Sequence, residues 1–253
     1  EYCAKKKSIS INPSIEETSQ ILLLARELRR VWQDQNKARF NPLRLHPDEA
    51  IFINRLQTAD LITAMVRIAW ELQLAGDEKS WDALELHGLD DIGRAYATEA
   101  YNDFRTINNG QASSAALEAW FLSERCKHED KKLIQAMLAD YKGYVFGDQA
   151  GAAPAIQTLI SAIGSMPYGK NYLVEHIHIL MNDPVFREVR DRSNANFLWF
   201  VKFERTFRDS EQELQLSPAP FIRGTRTPTK NKNQEQGYEQ TISTEGTDGQ
   251  VIN

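Results

Sequence analysis

The chain has 253 residues, with 30 lysine and arginine side chains against 35 aspartate and glutamate, a formal net charge of −5 at pH 7. That balance argues against a general nucleic-acid binder, which needs a basic surface to neutralise phosphates, while a hydrophobic content of 42% supports a packed core. No apolar run reaches the ~18 to 20 residues of a membrane-spanning helix, and two cysteines, Cys3 and Cys126, are too few for a disulfide framework or a four-thiolate zinc site. A reducing compartment, the cytoplasm, is the expected location, and Glu1 in place of an initiating methionine leaves room for a removed leader.

The sequence predicts a mainly α fold with a short N-terminal strand. Lys7 to Asn12 alternates polar and apolar residues up to Pro13, the pattern of a strand. Ser14 and Glu17 then have the spacing of a capping box, which starts a helix over 14–36 with Ile21, Leu24, Leu28, Val31 and Trp32 as its apolar stripe. Two prolines make 41–47 a loop, and Pro47 can open a second helix that runs over 48–74 and stops at Gly76. Further helices are expected over 80–86, 89–107, 113–126, 131–141, 153–163, 170–181 and 195–214, with turns at Asn108–Gly110 and Met166–Gly169. The five tryptophans, Trp32, Trp70, Trp81, Trp120 and Trp199, are expected to anchor the core. After Leu216 apolar residues almost vanish, so a folded unit over 1–216 and a disordered polar tail over 217–253 are predicted.

Chemistry is concentrated in the first helix, in Leu24-Ala25-Arg26-Glu27-Leu28-Arg29-Arg30-Val31-Trp32-Gln33. Positions 26, 27 and 30 have the spacing of the zinc motif H-E-x-x-H, but arginine stands at both histidine positions. A guanidinium is permanently cationic and has no free lone pair, so it repels zinc rather than binding it. Without reference to any family, the plain reading is an amphipathic helix whose Arg26, Glu27, Arg29 and Arg30 face solvent.

This stretch resembles the L-A-H-E-L-R-H-x-W-Q helix of an uncharacterised bacterial family of metallopeptidase type, a domain of unknown function with a zincin-like helix. The resemblance continues through His46-Pro47-Asp48-Glu49, Ile68-Ala69-Trp70-Glu71-Leu72 and Ala100-Tyr101-Asn102-Asp103, covering most of 8–145. It implies a zincin-like helical domain with the general base at Glu27, histidine ligands replaced by Arg26 and Arg30, and a later acidic pair that aligns with Thr58 and Asp60. On that implication the chain is a degenerate member with no metal and no other cofactor. Arg26 and Arg30 would then neutralise Glu27 and Asp60 in place of zinc, in a vestigial binding site that also takes in His46.

Other residues offer less. His176 and His178 share a face only in a strand, whereas Leu173, Ile177 and Leu180 favour a helix. His87 and His128 have no partner set, Cys126 has basic neighbours that diverge on a helix, and Gly143 to Gly147 lacks the lysine of a phosphate loop. The expected function is a non-catalytic binding or scaffolding module for an unidentified protein or peptide, not for nucleic acid or membrane. The alternative is a hydrolase that keeps Glu27 as general base, paired with Asp60 or His46, with a relocated metal or none. A helical bundle unrelated to peptidases would lack a strand beside the first helix.

Overall fold

The computed structural model describes residues 1–139, 155–167 and 170–216. The expected tail over 217–253, the glycine-flanked segment at 143–147 and the end of the Met166–Gly169 turn lie outside the described residues. Within them the protein is mainly α: eleven helices and one two-stranded hairpin.

The hairpin pairs β1 (Tyr2–Cys3) with β2 (Ser8–Ile9), antiparallel, with Tyr2 opposite Ile9. The expected strand is therefore present but shorter, and its partner comes from a segment with no alternating pattern. Strand β1 sits against α1 (Glu17–Gln35). The capping box does not form, because the amide of Ser14 donates to Asn12 Oδ1 and the helix begins three residues later, behind Glu16.

Helix α2 (Pro47–Leu74) is the centre of the fold, packed against α1, α3 (Glu78–Leu86), α6 (Gln111–Leu122), α7 (Glu124–Ala139) and α8 (Ile156–Gly164). Pro47 occupies its first turn with Asp48 and Glu49, which favour the positive end of the helix dipole, and Gly76 at φ +98° ends the chain's helical path. Because neighbours cover α2 on several sides, its core residues are not confined to one stripe: Phe52, Ile53, Leu56, Val66 and Trp70 are all buried. Trp70 anchors an aromatic cluster, 5.3 Å from Trp81 and 4.8 Å from Tyr101 by ring centroids.

Two predicted helices are each broken once. The stretch over 89–107 divides into α4 (Asp90–Asn102) and α5 (Thr106–Asn109), because Asp103 is extended and its carboxylate accepts from the Arg105 amide. The stretch over 113–126 ends at Ser123, whose hydroxyl donates to the Trp120 carbonyl, so Cys126 belongs to α7. The predicted helix over 170–181 is shorter, since Asn171 Oδ1 accepts from the amides of Leu173 and Val174 and holds a turn there. Residues Val174–His176 form a 3-10 turn, and α9 covers Ile177–Asn182. Then come α10 (Pro184–Arg187) and α11 (Arg192–Leu216). No helix among the described residues is long and apolar enough to cross a membrane.

The tryptophans divide in their roles. Trp70 and Trp120 are buried, Trp32 and Trp81 are half-buried, and Trp199 on α11 is 62% exposed and stacks on Phe203 instead of entering the core. Gly110, at φ +96°, turns the chain between α5 and α6, and a Cβ placed there would lie 2.5 Å from Tyr172 Cβ. Gly110→Ala is expected to cost about 2 kcal/mol or more, from left-handed strain added to this overlap. Thermal unfolding of the variant measures it, and an unchanged midpoint would contradict the tight approach of Tyr172.

Candidate functional site

Helix α1 presents its three arginines to three different surroundings. Its buried face runs through Ser19, Leu22, Ala25 and Gln33, whereas Leu24 and Leu28 of the expected apolar stripe are 40% and 51% exposed. The helix is thus rotated from the orientation its hydrophobic pattern suggests. Polar side chains that should face water are turned inward, and the reason is a buried acceptor on α2.

That acceptor is Asp60, 1% exposed. Arg29 meets it with both prongs of the guanidinium, Nε to Oδ2 and Nη2 to Oδ1, each at 2.8 Å. Gln33 Nε2 donates to Oδ2 at 2.7 Å, and the Tyr172 hydroxyl donates to Oδ1 at 2.8 Å. Arg29 Nη2 also donates to the carbonyl of Ile163, so the cluster ties α1, α2, α8 and the segment around residue 172 together. Burial opposes the charge of Arg29, but Asp60 outweighs it and the pKa is raised; burial and then the same carboxylate hold the Tyr172 phenol well above its ordinary range. The phenol therefore stays a donor.

Glu27 lies under the hairpin, 6% exposed. Its Oε2 accepts from the Tyr2 amide at 2.8 Å and faces Arg30 Nε at 3.5 Å, an ion pair too long and misaligned for a hydrogen bond. Burial lowers the pKa of Arg30, with Glu27 acting in the opposite direction. Arg26 makes no hydrogen bond through Nε and lines a separate cavity of about 990 Å³ together with Thr58, His87 and Trp120. Thr58 also borders the depression that Arg30 lines, so position 58 stands between the two arginines while Asp60 faces another way.

The structure thus brings together Glu27 with Arg30, and Asp60 with Arg29. It does not bring Arg26 or Arg30 to Asp60. His46 is the residue before α2, 3.8 Å from Asp48, and fourteen residues of helix put it about 20 Å along the axis from Asp60. His178 is on α9, where its ring contacts Asn182, and His176 ends the preceding turn, so the two do not form a strand-like pair.

Two members of the Asp60 cluster were not legible as site residues. Arg29 carried no signal apart from its place in a charged run, and Tyr172 lies 112 residues from Asp60 in sequence. A second ion pair was equally silent: Arg55 holds Asp130 at 2.8 and 2.7 Å and donates also to the carbonyls of Phe186 and Glu188.

Cys126 is 2% exposed beside this second pair, and burial pushes its thiol up to about 11 from an ordinary 9.0. That is the opposite of activation. A raised folded pKa means the unfolded chain loses the proton first, so this contribution is whole below about pH 9 and is lost as pH rises to about 11. The loss is expected to be on the order of 2 kcal/mol. Urea unfolding at pH 8 and pH 11, with Cys126→Ala for comparison, measures it; equal pH dependence in the two proteins would contradict it.

A helical domain with a hairpin beside a charged H-E-x-x-H-spaced helix is the class these features define. The sequence profile of the Putative metallopeptidase family (DUF6782) matches residues 1–174, and the chain belongs to that family. No curated protein and no solved structure matches it.

A metallopeptidase implies a bound metal, and the donors here can be compared with that requirement. Guanidinium groups stand at positions 26 and 30, and Glu27 is enclosed by an amide and an arginine. Among the described residues no three histidine, cysteine, aspartate or glutamate side chains gather as a metal-binding set. The side chains at the H-E-x-x-H positions do not fit a zinc ion.

Proposed function

We propose that this member of the family has exchanged its metal site for structural ion pairs and acts as a non-catalytic binding module for a protein or peptide. The observation that carries the reading is the condition of Glu27. A general base must reach water or substrate, yet this carboxylate is 6% exposed, accepts from the Tyr2 backbone and faces Arg30. Asp60 and His46, the partners a zinc-free hydrolase would pair with Glu27, are no better placed. Asp60 already accepts four hydrogen bonds, and His46 stands at the far end of a helix segment. No metal or other cofactor is assigned by this reading.

The test is elemental analysis of chelator-free, tag-free protein, combined with hydrolysis of a mixed peptide library by wild type and Glu27→Gln. Substoichiometric metal and equal, background-level hydrolysis are expected. Close to one metal per chain, or turnover abolished by Glu27→Gln, would overturn the reading in favour of a hydrolase that retains Glu27 as its base.

A further inference from the structure

Helix α11 has two apolar faces, and the core uses only one of them. Leu198 and Val201 are buried where the helix packs on α7 and α2. Its rotation is fixed by Asn194 Nδ2, which donates to the Lys127 carbonyl, and by the ion pair of Lys202 with Asp48. At 3.6 residues per turn, Trp199, Phe200, Phe203 and Phe207 fall half a turn away from Leu198 and Val201. These four side chains are between 46% and 64% exposed. Trp199 and Phe203 stack with centroids 5.5 Å apart, so two of the rings already form one flat surface.

The size of this face is that of an interface. With ~150 to 250 Å² for each fully buried ring, four rings exposed to this degree present roughly 450 Å², within the range of the largest apolar patches on monomers, which are often functional. Joined to an equal patch they bury about 900 Å² of ring surface. The exposed Asn196, Thr206 and Ser210 around them carry the total past the ~1,000 Å² of a specific interface.

The charges beside the rings select the occupant. Arg192 stands at the N-terminal end of the face, Glu211 and Glu213 flank its C-terminal end, and all three are exposed with no ion pair among the described residues. Two α11 helices laid antiparallel and centred on Phe203 bring Arg192 of each copy within one turn of Glu211 and Glu213 of the other, and set their dipoles head to tail. A parallel pair would instead set arginine on arginine and glutamate on glutamate. An anionic lipid surface would be repelled by the two glutamates.

We infer that the aromatic face of α11 is the interface of a two-fold homodimer, with a second copy of this chain as its occupant. Phe203 lies at the axis, Trp199 and Phe200 of each copy lie against Phe207 of the other, and Arg192 meets Glu213 at both ends. Such an interface is self-complementary and closes on itself, which leaves no aromatic face for further growth. It involves none of the groups around Glu27, so it stands or falls independently of the metal and hydrolysis results.

The experiment is sedimentation velocity of the full chain from about 1 to 100 μM. A concentration-dependent rise to twice the chain mass is expected. Phe203→Glu places two like charges at the axis and is expected to weaken the dimer about a hundredfold or more, with far-UV circular dichroism retained because Phe203 is exposed in the single chain. Arg192→Glu is expected to weaken it about tenfold, since symmetry applies each change twice, and Arg192→Glu combined with Glu213→Arg is expected to restore it. A chain that stays monomeric throughout, or a dimer that Phe203→Glu leaves intact, would overturn the inference. A dimer lost with Phe203→Glu but not rescued by the charge exchange would overturn the antiparallel arrangement.

Discussion

Arg55→Met is expected to cost about 3 to 5 kcal/mol of folding stability. Arg55 and Asp130 are each 1% exposed, and the guanidinium spans α2, α7 and the carbonyls on either side of α10's end. Burial opposes its charge, and the hydrogen bonds and field of Asp130 more than restore it, so its pKa is held above the ordinary value. Removing the cation leaves a carboxylate without water or counter-charge and two carbonyls without donors. The double variant Arg55→Met with Asp130→Leu is expected to regain much of the loss, since an apolar pair needs no desolvation. Urea unfolding followed by tryptophan fluorescence gives both numbers. A loss below about 1 kcal/mol for the single variant would mean that water reaches Asp130.

Asp60→Ala is expected to have an effect of similar size, about 3 to 5 kcal/mol. It strands Arg29 Nε and the Tyr172 hydroxyl and leaves Gln33 Nε2 only the Gln57 carbonyl, and these donors come from α1 and a distant segment. Asp60→Asn retains one acceptor and the shape, so a smaller loss of about 1 to 3 kcal/mol is expected. Since Trp32 Nε1 donates to the Ser165 carbonyl beside this cluster, amide exchange should rise first in α8 and around residue 172. Uniform loss of protection along the chain would instead assign Asp60 to the global core.

Some of the structure was readable directly from residue order. Pro47 followed by Asp48 and Glu49 marks the start of α2, and Gly76 its stop, because both act through local backbone geometry. The same holds for Gly110 and for the helical period that produced most of the elements. Breaks at Asp103 and Ser123 were missed, since a side chain that competes for a backbone partner leaves no trace in the apolar pattern.

The candidate site was legible only in part. Residue types alone show that positions 26 and 30 cannot ligate zinc, because this follows from the chemistry of arginine. The pairing of the charges was not visible. Arg26, Arg29 and Arg30 are alike in a charge run, and the choice of Arg29 for Asp60 depends on how α1 is rotated against α2.

By itself, then, the sequence determined what acts locally: the helical class, the short strand region, the start and stop of α2, and the donor types on α1. Only the tertiary structure decided which carboxylate meets which guanidinium, that Tyr2 encloses Glu27, and that Tyr172 completes the Asp60 cluster from 112 residues away. The physical reason is that ion pairs and hydrogen bonds across helices depend on rotation and distance in space, which hydrophobic period leaves free where a helix can bury polar groups that are fully paired.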